Sequence, residues 1–386
     1  MPILRRMIAF QLSPEQRELR ELAHEFAERE LRPIAREWDE REDCPAELLG
    51  KAAALGLTSH AIPAEFGGGG VSAVTSSLIA EELSWGCAGL SAPVGATMFP
   101  VRPLLRAGSA EQKQRWLSRL ASEEGCLAAI AFTEPGAGSD VAGIQATARR
   151  EGAEYVLGGE KCYVTNGGIA ELTIVFAKLE GAITAFLVEA GDPGVTPGRK
   201  EPKLGLRASY TGSILLEEAR IPADRLLGEA GDGFAIAIDF FMHSRPQVAA
   251  SALGIARAAF EYATEYANER RAFGRPLIAK QGVSFKLADM AMQVEAARLL
   301  VWRAAAALDA AGAGHSEDAG LLGSYAKAFA ADAAMSITTD AVQVLGGAGI
   351  MRDHPVEKWM RDAKVLQIVE GTSEIQRHVI VQYLRR

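Results

Sequence analysis

Ile174-Val-Phe-Ala-Lys-Leu-Glu-Gly-Ala-Ile-Thr-Ala-Phe-Leu-Val188 is the stretch on which the fold turns. Two apolar runs rich in β-branched and aromatic residues, Ile174-Val-Phe and Ala185-Phe-Leu-Val, flank Glu180-Gly181. Ser213-Ile-Leu-Leu216 is a third such run, and Gly158-Gly159 and Asp192-Pro193-Gly194 punctuate the region. Short, closely spaced strands with turns of this kind predict an antiparallel sheet or a small barrel. A doubly wound parallel sheet needs a helix between successive strands, and there is no room for one.

Outward from this stretch the texture turns helical on both sides. The β-rich region begins near Leu127 and ends near Gly233. Upstream, Ser13-Pro14-Glu15-Gln16 is a helix start, with Ser13 as cap, Pro14 in the first turn and Gln16 completing a capping box. Leu19, Leu22 and Phe26 then form one apolar stripe. Gly67 to Gly70 form a loop, and helical patterns resume over Ser76 to Trp85 and Ala110 to Leu120. Downstream, Leu287, Val294, Val301 and Leu308 recur every seven residues, with Met290, Ala297 and Ala304 in register. That is the seam of long helices packed in a bundle. Gly312 and Gly314 end it, and a second Ala-rich helix runs from about Leu321 to Leu345, stopping at Gly346-Gly347. The chain therefore reads as α+β, mainly α: an N-terminal helical domain over 1–126, a middle antiparallel β domain over 127–232, and a C-terminal helical bundle over 233–386.

Composition narrows the function. The chain has 386 residues, and a domain takes roughly 150, so two or three are expected. Hydrophobic residues make up 48% and charged residues 23%, enough for a packed core and too little charge for wholesale disorder. The net charge of −8 argues against nucleic acid, whose phosphates demand a basic surface. Cys44, Cys87, Cys126 and Cys162 are scattered, which predicts neither a zinc site nor a disulfide scaffold and suits a reducing compartment. No apolar run has the length of a membrane span, and Met1-Pro-Ile-Leu-Arg-Arg-Met-Ile8 is too short and broken for a signal peptide. The expectation is a soluble cytoplasmic protein with no metal.

Four segments carry candidate chemistry. Ala131-Phe-Thr-Glu-Pro-Gly-Ala-Gly-Ser-Asp140 is a Gly/Ser/Thr loop whose amides and hydroxyls let a flat or anionic ligand approach. Lys161-Cys-Tyr-Val-Thr-Asn-Gly-Gly168 puts Tyr163 and Thr165 on one strand face. Glu269-Arg270-Arg-Ala-Phe-Gly-Arg-Pro276, with Gln281 beyond it, offers arginines suited to phosphate. Ile368-Val-Glu370-Gly-Thr-Ser-Glu-Ile-Gln-Arg377 sets a carboxylate among apolar residues, where burial raises its pKa toward that of a usable base. Alone, each has a plain explanation: a loop, a hairpin edge, a solvated helix end, a helix cap. Together they suit a bulky cofactor with a diphosphate. No GxGxxG follows a strand, so a Rossmann site is excluded. Gln343-Val-Leu-Gly-Gly347 is a further site of close backbone approach.

At these residues the sequence resembles the acyl-CoA dehydrogenase flavoproteins. Thr133-Glu-Pro-Gly-Ala-Gly-Ser-Asp140 and Glu370-Gly-Thr-Ser-Glu-Ile-Gln-Arg377 match the family's two signatures. Arg270-Arg-Ala-Phe-Gly, Gln343-Val-Leu-Gly-Gly and Pro355-Val-Glu-Lys-Trp-Met-Arg-Asp-Ala-Lys364 match intermediate blocks in the right order. The resemblance implies a helical domain, a middle β domain and a C-terminal four-helix bundle, with FAD bound non-covalently. It implies that Phe132, Thr133 and Ser139 lie along the flavin and the substrate thioester. Tyr163, where the family usually has tryptophan, and Thr165 would flank the flavin. Arg270, Phe273 and Gln281 would hold the diphosphate and adenosine, and Thr372 and Glu374 would close over the cofactor. Gln343 and Gly347 would reach a neighbouring subunit's FAD, so a homo-oligomer, a tetramer built as a dimer of dimers, is expected.

Glu370 matches the family's catalytic base. The implied reaction removes the α-proton of an acyl-CoA thioester while the β-hydrogen leaves as hydride to flavin N5, giving a trans-2-enoyl thioester. The implied electron acceptor is electron-transfer flavoprotein, and the implied role is fatty acid β-oxidation. Arg245, Met242, Val369 and Gly371, with Ser139, are the implied substrate contacts. Some members carry the base immediately before the arginine that matches Arg245. That place holds Ser244, which cannot serve, so the chain sides with the short- and medium-chain arrangement. Straight-chain members usually have aspartate at the place of Met242 and an aromatic at Val369. Leu90 stands where glutaryl-type enzymes have arginine, and Arg102 reads as a surface or paired residue. An oxygen-using acyl oxidase and a dehydrogenase of carrier-protein thioesters are the alternatives.

Overall fold

A computed structural model describes residues 11–312 and 317–385. The segment Met1 to Ile8 and the predicted stop at Gly314 lie outside the described residues.

The N-terminal block is helical: α1 (Pro14–Phe26), α2 (Ala35–Arg41), α3 (Ala46–Ala54), α4 (Ala73–Thr97), α5 (Val101–Ala107) and α6 (Ala110–Leu120). The predicted capping box forms at α1: Gln16 N–H donates to Ser13 Oγ (3.1 Å) and Ser13 N–H to Gln16 Oε1 (3.0 Å). Helix α4 runs well past the predicted Trp85. Its backbone leaves helical geometry at Cys87, and it carries Pro93. It is buried almost all round, so it shows no amphipathic period to mark its true length.

The middle block holds β1 (Ala128–Ala131), β2 (Thr147–Glu151), β3 (Glu154–Thr165), β4 (Leu172–Leu179), β5 (Ala182–Glu189), β6 (Val195–Lys200), β7 (Thr211–Pro222) and β8 (Leu226–Leu227). The decisive stretch is the β4–β5 hairpin, with Leu179 opposite Ala182. Glu180 (φ 52) and Gly181 (φ 85) are both left-handed, as a two-residue primed turn requires. The sheet order is β6-β7-β3-β2-β4-β5-β8, with β1 attached to β4. The antiparallel expectation needs one amendment. Strands β1 and β2 both pair parallel with β4. The excursion between β1 and β4 is long enough to bring the chain back to the same end, and short-range turn signals carry no trace of that.

Strand β4 is covered on both faces. Ile174 and Phe176 pack with Leu104, Leu117 and Phe240 from the helices. Val175 and Ala177 pack with Leu157, Ile214 and Leu216 inside the β domain.

The C-terminal block is α7 (Gly233–Glu269), α8 (Gln281–Ala311), α9 (Glu317–Leu345), α10 (Val356–Leu366) and α11 (Ser373–Leu384). A short hairpin, β9 (Arg271–Ala272) and β10 (Arg275–Pro276), joins α7 to α8. Every heptad residue of α8 predicted for the seam, Leu287 to Leu308, is buried. Helix α7 joins the two helical blocks. A Cβ at Gly254 would lie 2.2 Å from the Glu81 carbonyl oxygen, so only glycine permits this approach of α7 to α4. Beside it Arg257 donates to Glu81 (2.8 Å) and to Glu82, and Arg298 to Glu81 (3.2 Å).

Candidate active site around Glu370

Glu370 sits in the turn between α10 and α11. It has φ 56, and Gly371 has φ 84. A left-handed glutamate costs on the order of 1 kcal/mol or more, so the turn needs fastening. Gln376 Nε2 donates to the carbonyls of Glu370 (3.1 Å) and Gly371 (3.0 Å). Lys327 Nζ, from α9, donates to the Gly371 carbonyl (2.7 Å). Thr372 then caps α11, its Oγ1 accepting from Ile375 N–H (3.2 Å). Glu374 is exposed in the first turn of that helix.

The carboxylate points back to α7. Ser244 Oγ donates to Glu370 Oε2 at 2.7 Å. Oε1 of Glu370 and the Glu370 N–H make no hydrogen bond among the described residues. Desolvation raises the pKa of this half-buried carboxyl; the Ser244 hydroxyl, Arg245 and Lys327 oppose the rise. Burial pushes Lys327 down to about 8. Burial also lowers Arg245, whose Nη1 donates to Ser324 Oγ (3.1 Å) and whose buried Nε has no partner among the described residues. The turn thus presents a basic carboxylate, a free amide and a buried guanidinium donor together. Ile368 and Val369, just before Glu370, are exposed apolar side chains.

The β domain supplies a second group. Cys162 N–H donates to the Thr133 carbonyl (2.9 Å), which lays the loop after β1 beside the end of β3. A buried ion pair fastens the two: Lys161 Nζ donates to Glu134 Oε1 (2.6 Å) and to the Phe132 carbonyl (3.1 Å). Glu134 also accepts from the amides of Gln145 and Ala146. Tyr163, with φ 57, is 66% exposed, and Thr165 is half-buried. Ser139 is exposed, and Gly136 and Gly138 border open space. Phe132 is buried at the start of the same loop. Its ring stacks on Phe176 with centroids 4.0 Å apart and joins Phe240 and Phe241.

A third group lies at the bundle's end. A cavity of about 610 Å³ is lined by Arg270 and Tyr266 of the α7 end, by Gly346 and Gly347 after α9, and by His354. The sequence placed Arg270 and Gly347 on different cofactors; here they line one cavity. Glu370 is not among its lining residues. Phe273, φ 52 at the β9–β10 turn, is 94% exposed. Gln281 and Gln343 are exposed at the start of α8 and near the end of α9.

Met242 lies at the interface of α7 and α9. It is buried, with its sulfur against Gly320 of α9, because an apolar side chain on that face of α7 fills the helix interface. Arg102 is paired, as read: it grips Asp239 through two bonds of 2.6 and 2.9 Å. Sequence reasoning missed Lys327, Gln376 and the Glu134–Lys161 pair, and it gave Ser244 no part. Gln376, Glu134 and Lys161 lie inside quoted motifs, yet only packing shows what they touch. Among the described residues, no cluster could hold a metal and no helix is long and apolar enough to cross a membrane.

Comparison with known proteins finds likeness along nearly the whole chain. Family models match in chain order: "Acyl-CoA dehydrogenase, N-terminal domain" over residues 13–124, "middle domain" over 129–219 and "C-terminal domain" over 231–384. An acyl-CoA dehydrogenase of Bacillus subtilis (strain 168) is 43% identical over 383 residues, covering 97% of this chain and 98% of that one. The short-chain specific acyl-CoA dehydrogenase, mitochondrial, of Rattus norvegicus is 42% identical over 385 residues, covering 97% and 91%. The solved butyryl-CoA dehydrogenase from Megasphaera elsdenii superimposes with a TM-score of 0.94 at 40% identity, covering 98% of this chain and 100% of that one. Three consecutive domain matches and relatives of this closeness place the chain in the acyl-CoA dehydrogenase family.

Proposed function

We propose that Glu370 is the base with which this FAD-dependent acyl-CoA dehydrogenase takes the α-proton of a short, straight-chain acyl-CoA. The observation that carries the reading is the fastened turn: a carboxyl raised by burial, with one oxygen unengaged, beside an unspent amide. An α-proton is weakly acidic, so the thioester oxygen must be polarised as the proton leaves. The Glu370 N–H is a preorganised donor for that oxygen, and donors of this kind are worth roughly 3 to 4 kcal/mol. Gly371, bare of side chain, lets the thioester approach, and Val369 forms an apolar wall. The free Arg245 Nε is a donor for the CoA portion.

The remaining residues fit FAD. The cavity by Arg270 has the size of a small-molecule site, and a guanidinium there suits a diphosphate. The exposed rings of Tyr163 and Phe273, each held at a left-handed φ, are surfaces for flat ring systems. Thr133, Ser139 and Thr165 offer hydroxyls, Phe132 its backbone, and Thr372 and Glu374 the first turn of α11. Gln281, Gln343 and Gly347 would complete the adenosine end across subunits of a homotetramer. Bound FAD supplies the hydride acceptor for the β-hydrogen. Electron-transfer flavoprotein would be the electron acceptor. The carrier-protein alternative drew on Met242, which is a packing residue here. The free thiols suit the reducing, cytoplasmic setting.

The test is anaerobic titration of holoenzyme with butyryl- to decanoyl-CoA. Flavin bleaching that is fastest with the shortest chains is expected. A flavin that no acyl-CoA bleaches would overturn the reading.

A further inference from the structure

The hydroxyl of Ser244 has no assigned task, yet it makes the shortest contact to the reacting side chain. Ser244 lies on α7, is 4% exposed, and donates to Glu370 Oε2 at 2.7 Å. Its other acceptor, the Phe241 carbonyl one helical turn back, is distant at 3.4 Å. Such back-bonding is what an idle helical serine does; here the hydroxyl favours the carboxylate. Oε1 is left unengaged among the described residues. We infer that Ser244 is a positioning residue for the base: it pins Oε2 of Glu370, aims Oε1 at the α-carbon, and holds the base in its ionised form. The inference rests on Glu370 being the base.

The chemistry favours a neutral hydroxyl at this place. A carboxylate in an apolar turn would hold its proton too firmly without a donor. A cation in direct contact would stabilise the carboxylate so far that it lost its basicity. One hydroxyl bond to a charged acceptor sits between these limits. The charged groups that face Glu370 are Arg245 on α7 and Lys327 on α9. Neither makes a hydrogen bond to the carboxylate: Arg245 donates to Ser324, and Lys327 to the Gly371 carbonyl. From α11, Gln376 reaches only the backbone of the turn. Ser244 is therefore the only described side chain bonded to the carboxylate itself.

The experiment follows the rate of flavin reduction by butyryl-CoA against pH in the holoenzyme, Ser244→Ala and Ser244→Thr, with Glu370→Gln alongside. In Ser244→Ala the rising limb moves up by about one pH unit, the tenfold that one such bond is worth. The rate on the acid side falls about tenfold and the alkaline plateau persists. Ser244→Thr, which keeps the hydroxyl, follows the unaltered enzyme. A Ser244→Ala profile superimposed on the unaltered one, at equal flavin content, overturns the proposal. If the alanine protein fails to hold flavin, Ser244→Cys, a weak donor, repeats the readout, and an unshifted profile there overturns it equally. Reduction that survives in Glu370→Gln removes the base assignment, and this proposal with it. A shifted Ser244 profile beside an inactive Glu370→Gln leaves both standing.

Discussion

Replacing Glu370 by glutamine separates chemistry from architecture. Glutamine keeps the shape and can still accept the Ser244 hydrogen bond through its amide oxygen. The left-handed turn stays fastened by Lys327 and Gln376, whose bonds run to the backbone. Only the proton acceptor is lost. General-base catalysis contributes about 10²- to 10⁴-fold, or roughly 3 to 5.5 kcal/mol of barrier at about 1.4 kcal/mol per tenfold. Flavin reduction by butyryl-CoA should slow by at least that lower factor. Stability should move the other way. Desolvation raises the folded carboxyl above its ordinary value, so its contribution to stability is lost as pH rises through the window between the unfolded and folded values. At neutral pH the charged carboxylate is a burden, and the glutamine chain should melt no lower than the original. Anaerobic stopped-flow absorbance and a thermal melt on the same holoprotein give both numbers. Reduction within tenfold of the original rate would refute the assignment of the base. A melt several degrees lower with loss of flavin would show instead that Glu370 holds the turn together.

Other outcomes follow from the same geometry. Arg257→Leu leaves two buried carboxylates, Glu81 and Glu82, without their main partner and should cost about 3 to 5 kcal/mol in urea unfolding; a loss under 1 kcal/mol would show the α4–α7 charges to be dispensable. Lys327, held near 8 in the fold against an ordinary 10.5, sheds its proton earlier than in the unfolded chain. Stability should therefore rise with pH between about 8 and 10.5, by at most roughly 3 kcal/mol, and Lys327→Met should remove that slope from a series of thermal melts. Arg270→Ala and Phe273→Ala should each purify with the fold intact but flavin affinity lowered roughly tenfold, read as the absorbance ratio of flavin to protein; unchanged flavin content would separate the cavity at Arg270 from the cofactor.

Local signals in the chain were strong where a single element's period or cap decided the outcome. The heptad of α8, the capping box of α1 and the Glu180-Gly181 hairpin are all read from residues a few positions apart, and all stand in the structure. Helix α4 shows the limit of that reading. Burial on every side erases the amphipathic period, so its end could not be placed. The parallel pairing of β1 and β2 with β4 lay hidden for a related reason, since a parallel ladder joins segments that no local turn connects.

The sequence by itself determined the three-block order, the family and the motif that holds the proposed base Glu370, because each is carried by short-range pattern or by a contiguous motif. Tertiary structure alone decided which groups touch that residue and its turn. Ser244 and Glu370 are 126 positions apart, and Lys327 and Gly371 are 44 apart. Such pairs leave no periodic trace. They meet because α7, α9 and the α10–α11 turn pack on one another, and packing selects partners by shape and by desolvation rather than by spacing. Met242 makes the same point in reverse. The chain shows only that Met242 stands where straight-chain members have aspartate; that its sulfur lies beside Gly320 belongs to the helix interface and to nothing local in the chain.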